Sequence, residues 1–360
     1  MPAPMTAPAE HRPWLIAHRG ASAHRPEHTL AAYALAIEQG ADAIEPDLVM
    51  TRDGVLVARH ENALSDTTDV ATRPAFAARR TRKQIDGAWV EDWFSEDFTL
   101  AELKRLRARE RLPGLRSTAW DGQFEVPTLE EIIALAAAES ERRGRLVGLV
   151  PEIKHPTYFA ALGLAMEAPL LETLAAHEYT RTAPVIIQSF ETANLRALRE
   201  QLPRGGHVRL LQLLGGPRDA PFDTVQAGAP RTYAQLATTG LRDIATYADG
   251  IGPHYRMLQI QRRDDAPGYR SALVEAAHAE GLSVFAYTFR PEHRFIEAAF
   301  RDDGLPQARN EPAAMRELQA YASTGVDAVF VDDPALSRRA LDHSRTSKAS
   351  TTRMSLIRPR

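Results

Sequence analysis

Residues 14–61, WLIAHRGASAHRPEHTLAAYALAIEQGADAIEPDLVMTRDGVLVARHE, decide how the rest of the chain is read. The run Trp14–Ala17 is apolar and strand-prone, stops at His18-Arg19-Gly20, and is followed by Leu30, Tyr33, Ala34 and Ile37 at helical spacing. Thr29 fits the N-cap of that helix. A second strand is expected over Ala43–Thr51, where alternation puts Glu45 and Asp47 on one face and Ile44 and Leu48 on the other. Asp53-Gly54, between Val49-Met50-Thr51 and Val55-Leu56-Val57, carries the signal of a two-residue hairpin. That turn would pair Arg52 with Val55 and set Asp47 opposite His60, with Cβ atoms roughly 4.5–5.5 Å apart. Acids and a histidine are thus expected at strand ends, where α/β barrels keep their chemistry.

Outward from this stretch, residues 62–126 break the rhythm. They are rich in Arg, Asp and Thr and hold Trp89, Trp93 and Trp120. A structureless loop of that length is uncommon in a compact domain, so an inserted subdomain is expected, with a short helix opened by a Thr99…Glu102 capping box. Thr128…Glu131 is a second such box, and regular alternation resumes there. Strands are expected at Leu146–Val150 running into Pro151-Glu152-Ile153-Lys154, at Pro184–Phe190, Val208–Leu214, Asp249–Pro253, Ser283–Phe289 and Ala328–Val331. Helical segments follow them: one long segment to about His177, then Asn194–Leu202, Thr232–Leu241, Arg270–Ala279, Pro312–Ala322 and Pro334–Leu341. Eight strands each followed by a helix predict an α/β TIM (β/α)8 barrel over residues 14–342, with the inserted subdomain after the second-strand hairpin. A doubly wound open sheet is the competing architecture, but no G-x-G-x-x-G follows the first strand. The basic tail, 343–360, reads as disordered.

Composition narrows the function classes. The chain has 360 residues, 44% hydrophobic and 25% charged, as expected of a globular protein able to bury a full core. A formal charge of −3 argues against a nucleic-acid partner. The absence of cysteine removes disulfides, thiolate nucleophiles and zinc–sulfur sites. No apolar run reaches the roughly eighteen residues of a membrane span, so no stable membrane insertion is expected. MPAPMTAPAEHRP lacks a basic-then-apolar signal pattern, and as it stands the chain reads as cytoplasmic; a trimmed periplasmic or secreted form would look the same. Composition leaves the oligomeric state open.

Two acids on one strand are ordinarily solvated or paired with arginine. Glu152 alters the balance, because it too ends a barrel strand inside an apolar run. Three carboxylates converging at one mouth repel unless a cation or a shared proton lies between them. Oxygen-only ligation suits one hard divalent cation, Mg²⁺ or Ca²⁺. A lone histidine at a strand end is ordinarily structural, but His18 and His60 beside such a cluster have the chemistry of a general acid and a general base. Arg19 has the fork to clamp a phosphate, or simply pairs with Glu45 or Asp47. Lys154 could neutralise a phosphoryl oxygen or balance the acids.

The blocks His18-Arg19-Gly20, Pro26-Glu27-His28-Thr29, Glu45-Pro46-Asp47, Thr51-Arg52-Asp53-Gly54 and His60 resemble the signature of the glycerophosphodiester phosphodiesterase family. Pro151-Glu152-Ile153-Lys154, Gln188-Ser189-Phe190 and Val331-Asp332-Asp333-Pro334 resemble its later motifs, and 62–126 resembles the long insertion of its periplasmic-type members. The resemblance implies a metal-dependent hydrolase on a TIM barrel that acts on a small-molecule glycerophosphodiester. It would release an alcohol and sn-glycerol 3-phosphate. It also implies metal ligands Glu45, Asp47 and Glu152, the acid/base pair His18 and His60, and substrate contacts from Arg19, Lys154, Gln188 and Phe190. This chain has His28 where the family usually has Asn and Glu61 where it more often has Asp. Two other functions fit the same features: a phospholipase C- or D-like enzyme on intact lipid, and a barrel that binds phosphate esters without turning them over. The second needs no acid/base pair. Against intact lipid, the insertion intersperses Trp89, Trp93, Phe94, Phe98, Trp120 and Phe124 with many charges, and most of these rings are expected to form its own small core.

Overall fold

The computed structural model describes residues 12–264 and 266–342; the expected tail lies outside them. Eight parallel strands close into a barrel. In chain order they are Trp14–His18, then Ala43–Glu45 continued by Asp47–Met50, then Gly148–Leu149 continued by Glu152–Ile153, then Val185–Ser189, Val208–Leu214, Gly250–Pro253, Ser283–Phe289 and Ala328–Val331. The second and third are interrupted because Pro46 and Pro151 have no N–H to donate to the ladder. The last strand pairs with the first, from Trp14 beside Ala328 to Ala17 beside Val331, which closes the ring.

Helices pack outside, several of them opened by a side-chain N-cap. The Thr29 side chain accepts from the N–H of Ala32 to open Leu30–Glu38, and both expected capping boxes form, Thr99 with Glu102 and Thr128 with Glu131. The segment expected to run unbroken to His177 is instead two helices, Pro156–Ala161 and Glu167–Ala176, separated at Gly163, which takes φ +73°. Two cores result. Ile16, Ala43, Val150, Ile186, Leu211, Leu213, Phe285 and Phe330 fill the barrel interior, while Leu15, Ile44, Leu48, Ile153 and Ile187 face the helices. Inward Ala43, Glu45 and Asp47 alternate with outward Ile44 and Leu48, so strand periodicity alone carries both carboxylates to the interior. No described helix is long and apolar enough to cross a membrane.

The hairpin register differs from the expected one by one residue. Leu48, Val49 and Met50 pair with Ala58, Val57 and Leu56, and the Thr51 N–H donates to the Val55 carbonyl. The loop is therefore the three residues Arg52-Asp53-Gly54, closed by Gly54 at φ +79°. Asp47 consequently stands opposite Arg59, whose N–H donates to the Asp47 carbonyl, and His60 is not its cross-strand neighbour. The two-residue turn of this kind lies elsewhere, at Asp86-Gly87, where φ is +46° and +84°. It joins Thr81–Ile85 to Ala88–Asp92 in a hairpin that was not anticipated.

Within 62–126, Phe76, Trp93, Phe94, Phe98, Leu103 and Leu106 are buried. Trp120 and Phe124 stack on each other with the Arg25 guanidinium over Trp120. Trp89 is 61% exposed and lies under Arg82.

Candidate active site

Strand register assembles the site. His18 is the neighbour of Glu45 across the first and second strands, and Asp47, Glu152 and Gln188 form one row across the second, third and fourth. His18 ends its strand, Glu45 and Asp47 flank the break at Pro46, Glu152 follows the break at Pro151 and Gln188 is the last residue but one of its strand, so one mouth of the barrel gathers all five. Glu45, Asp47 and Glu152 are buried, and each offers an oxygen within 4.8 Å of the others. Without a cation the cluster is electrostatically frustrated. Burial, then Asp47 and Glu152, push the Glu45 carboxyl well above its ordinary value. Burial pushes Glu152 up to about 7, against the pull of Lys154 and helped by Asp47. Burial opposes ionisation of Asp47 as well, but His28, Lys154 and Arg19 hold it well below the usual carboxylate range. Asp47 Oδ1 and Gln188 Oε1 are buried with no hydrogen-bond partner. Repelling carboxylates and orphaned oxygens with no soft donor nearby fit a hard divalent cation.

His28 takes part in this arrangement. Its Nε2 lies 2.9 Å from Asp47 Oδ2 and its Nδ1 2.7 Å from the Tyr33 hydroxyl. Burial lowers its pKa, so the ring is neutral, donates from Nε2 to the carboxylate and accepts at Nδ1. An imidazole thus supplies the polar contact that this loop would otherwise make with an amide.

His18 and His60 both line the central cavity, together with Arg19, Glu45, Glu152, Phe190, His254, Tyr287 and Arg290. His60 reaches it because the chain leaves the ladder after Ala58, not through the hairpin pairing. Each ring is held through Nδ1, His18 by Asp332 Oδ1 at 2.6 Å and His60 by Glu61 Oε1 at 2.8 Å. Burial, reinforced by Arg19, pushes His18 down to about 4 and His60 to about 3. Both are therefore neutral near pH 7, with Nε2 as the nitrogen left to exchange a proton.

The residues assigned to substrate divide. Arg19 lines the cavity while its guanidinium pairs with Glu27 at 3.1 Å and its backbone N–H donates to Glu45. Phe190 also lines it. Lys154 instead pairs with Glu152 at 2.9 Å. Gln188 donates to Glu45 Oε1 at 2.8 Å, so both hold the acidic cluster.

The sequence does not single out His254 or Arg290, and Asp332 enters only within the motif Val331-Asp332-Asp333-Pro334, with no role given. His254, Arg290 and Asp332 each directly follow a barrel strand, and that position is the signal that marks them. Asp332 is gripped by Arg290 and by Arg116 of the insertion, which also pairs with Glu292. Removing one partner of a buried ion pair strands the other charge. Arg116→Ala is expected to cost about 3–5 kcal/mol in denaturant unfolding, nearer the lower figure because Arg290 remains. A loss under about 1 kcal/mol, the range of a surface pair, would show that Arg116 does not hold this corner together.

A (β/α)8 barrel with buried carboxylates and two neutral imidazoles at its C-terminal mouth has the architecture of a barrel hydrolase. Comparison with known proteins makes the class specific. Residues 18–336 match the model of the glycerophosphoryl diester phosphodiesterase family, and the chain belongs to that family of hydrolases. It is 33% identical over 309 residues to a glycerophosphodiester phosphodiesterase of Arabidopsis thaliana, covering 81% of this chain and 78% of the relative. A glycerophosphodiester phosphodiesterase of Haemophilus influenzae is 29% identical over 342 residues, 89% of this chain and 87% of the relative. Among solved structures, an Oleispira antarctica phosphodiesterase in complex with the product sn-glycerol-3-phosphate superimposes with a TM-score of 0.59. It is 22% identical and covers 92% of this chain and 97% of its own, which supports the shared fold.

Proposed function

We propose that this phosphodiesterase hydrolyses soluble glycerophosphodiesters, deacylated phospholipids such as glycerophosphocholine, to an alcohol and sn-glycerol 3-phosphate. One divalent cation, Mg²⁺ or Ca²⁺, would be held by Glu45, Asp47 and Glu152. The observation that carries the reading is the meeting in one cavity of that acidic cluster with two imidazoles, each tethered at Nδ1 by a carboxylate. The reading is supported by the names of the relatives, both glycerophosphodiester phosphodiesterases.

The cation would supply Lewis-acid polarisation of a phosphoryl oxygen. The chain's own residues do the rest. Arg19 and Arg290 offer positive charge at the cavity wall to a bound phosphodiester. One imidazole takes the proton of the attacking oxygen at Nε2 as the new P–O bond forms. The other, neutral in the free cavity, takes up a proton as the anionic phosphodiester binds beside it and gives that Nε2 proton to the alkoxide as the P–O bond to the alcohol breaks, while the first ring returns its proton to solvent. Asp332 and Glu61 fix the ring orientations and stabilise whichever ring is charged.

Access favours small substrates over a bilayer. Of the insertion's aromatics, Phe76, Trp93, Phe94 and Phe98 are buried, Trp120 and Phe124 are half-buried with Arg25 over Trp120, and exposed Trp89 carries Arg82 on its ring. Among the described residues the insertion's exposed rings are thus interspersed with charge, which argues against an apolar ridge. Initial rates on glycerophosphocholine and glycerophosphoethanolamine are expected to exceed those on phosphatidylcholine vesicles at equal phosphodiester concentration. A vesicle rate equal to or above the soluble ones would reverse the reading toward a phospholipase.

A further inference from the structure

Glu61 follows His60, and its side chain is 48% exposed, yet both carboxylate oxygens are engaged. Oε1 meets Nδ1 of His60 at 2.8 Å, and Oε2 meets Nε2 of His155 at 3.0 Å. Nδ1 of His155 in turn meets Oδ2 of Asp86 at 2.5 Å. Asp86 sits in the turn of the insertion's hairpin, so a continuous polar chain runs from that hairpin to a cavity-lining histidine. It joins residues far apart in sequence: His155 follows the third barrel strand, and Asp86 lies within 62–126.

Each ring nitrogen of His155 faces a carboxylate oxygen, and an ionised carboxylate can only accept. Both nitrogens therefore carry protons, and the ring is a cation between two anions. Burial opposes that charge, but the bonds to Asp86 and Glu61 prevail and raise its pKa to about 9. The backbone bears a cost as well, since His155 takes φ +48° immediately before the helix Pro156–Ala161. Such a conformation is uncommon outside glycine and concentrates where surrounding structure demands it. Released from His155, a half-exposed glutamate would regain its rotamers and turn to water.

We propose that Glu61, His155 and Asp86 form a positioning relay that holds the His60 ring with Nδ1–H toward Glu61 and Nε2 toward the cavity, so that the inserted hairpin acts on the chemistry through Asp86. This rests on the reading of His60 as a proton-transfer group. None of the three touches the reacting atoms; they act through His60. The relay explains why a charged hairpin tip is brought against the barrel, and it gives the Glu at position 61 a second oxygen with work to do beyond the histidine it follows.

The test uses the full-length protein with glycerophosphocholine, measuring kcat, KM and Tm for Asp86→Asn, His155→Ala, His155→Gln and the Asp86→Asn/His155→Ala double variant. His155→Ala is expected to lower kcat about tenfold or more, the range found when the partner behind a functional imidazole is removed, with KM within about twofold. His155→Gln, whose amide can still donate to Glu61, should recover part of that loss. Asp86→Asn should lower kcat severalfold, and the double variant should be no worse than His155→Ala, because both changes act through one contact. Unchanged kcat in Asp86→Asn, losses that multiply in the double variant, or an effect confined to KM would each overturn the relay. Should His155→Ala fail to fold, Asp86→Asn and His155→Gln still decide. A wild-type rate that falls in His60→Ala but in none of these variants overturns the relay alone. A rate retained in His60→Ala removes the reading beneath it, and the relay with it.

Discussion

Replacing His18 or His60 by alanine is expected to lower kcat on glycerophosphocholine by about 10²–10⁴-fold, the usual contribution of a positioned acid or base, with a much smaller change in KM. The expectation follows from which atoms are engaged. Nδ1 of each ring is committed to a carboxylate, Asp332 or Glu61, so only Nε2 is left for a proton. Burial keeps both rings neutral in the resting cavity, which leaves Nε2 able to accept. His18→Asn and His60→Asn sharpen the comparison: an amide can reproduce the tether to the carboxylate but has no atom that shuttles a proton. Asparagine variants as impaired as the alanine ones would support proton transfer. Activity restored by asparagine, or alanine losses under about tenfold, would reduce the histidines to positioning groups.

Glu45→Gln is expected to abolish the stabilisation that Mg²⁺ or Ca²⁺ gives the wild-type protein. Without a cation, burial and the neighbouring acids already favour a protonated Glu45, and an amide resembles that state. The variant should therefore unfold in chelator at no lower temperature than the wild type, while its cation affinity falls. A ligand at a hundredfold excess over its Kd stabilises by about 2.7 kcal/mol, so the wild type should show a clear rise in Tm on cation addition. The variant should show little. Asp47→Asn and Glu152→Gln should lose the same response, although each also disturbs a buried partner, His28 or Lys154. Equal Tm rises in wild type and all three variants would place the cation elsewhere.

Much of this arrangement was legible because it rests on local rules. Strand periodicity put Glu45 and Asp47 on the inward face, and apolar runs bounded by polar residues marked Val208–Leu214, Ser283–Phe289 and Ala328–Val331 to the residue. Thr29, Thr99 and Thr128 cap helices because a threonine side chain can satisfy a free N–H wherever a helix starts. The Asp53-Gly54 register escaped because Asp-Gly serves both two- and three-residue loops, and a slip of one residue changes which side chain faces His60's position. The hairpin at Asp86-Gly87 escaped for another reason: its strands Thr81–Ile85 and Ala88–Asp92 are mostly exposed and carry no alternating apolar face. A residue type does not reveal its partner, so the sequence points Gln188 toward substrate and leaves Lys154 between a phosphoryl oxygen and the acids; side-chain contacts set them against Glu45 and Glu152. Arg116, which grips Asp332 from 216 residues away, left no local trace at all.

The most direct measurement is the release of sn-glycerol 3-phosphate from glycerophosphocholine by purified protein, assayed after exhaustive chelation and again as Mg²⁺ or Ca²⁺ is added back. The expected result is no release from the stripped protein and recovery of turnover that saturates with one cation per chain. Full turnover by protein shown to be free of divalent metal would contradict a catalytic centre built on Glu45, Asp47 and Glu152.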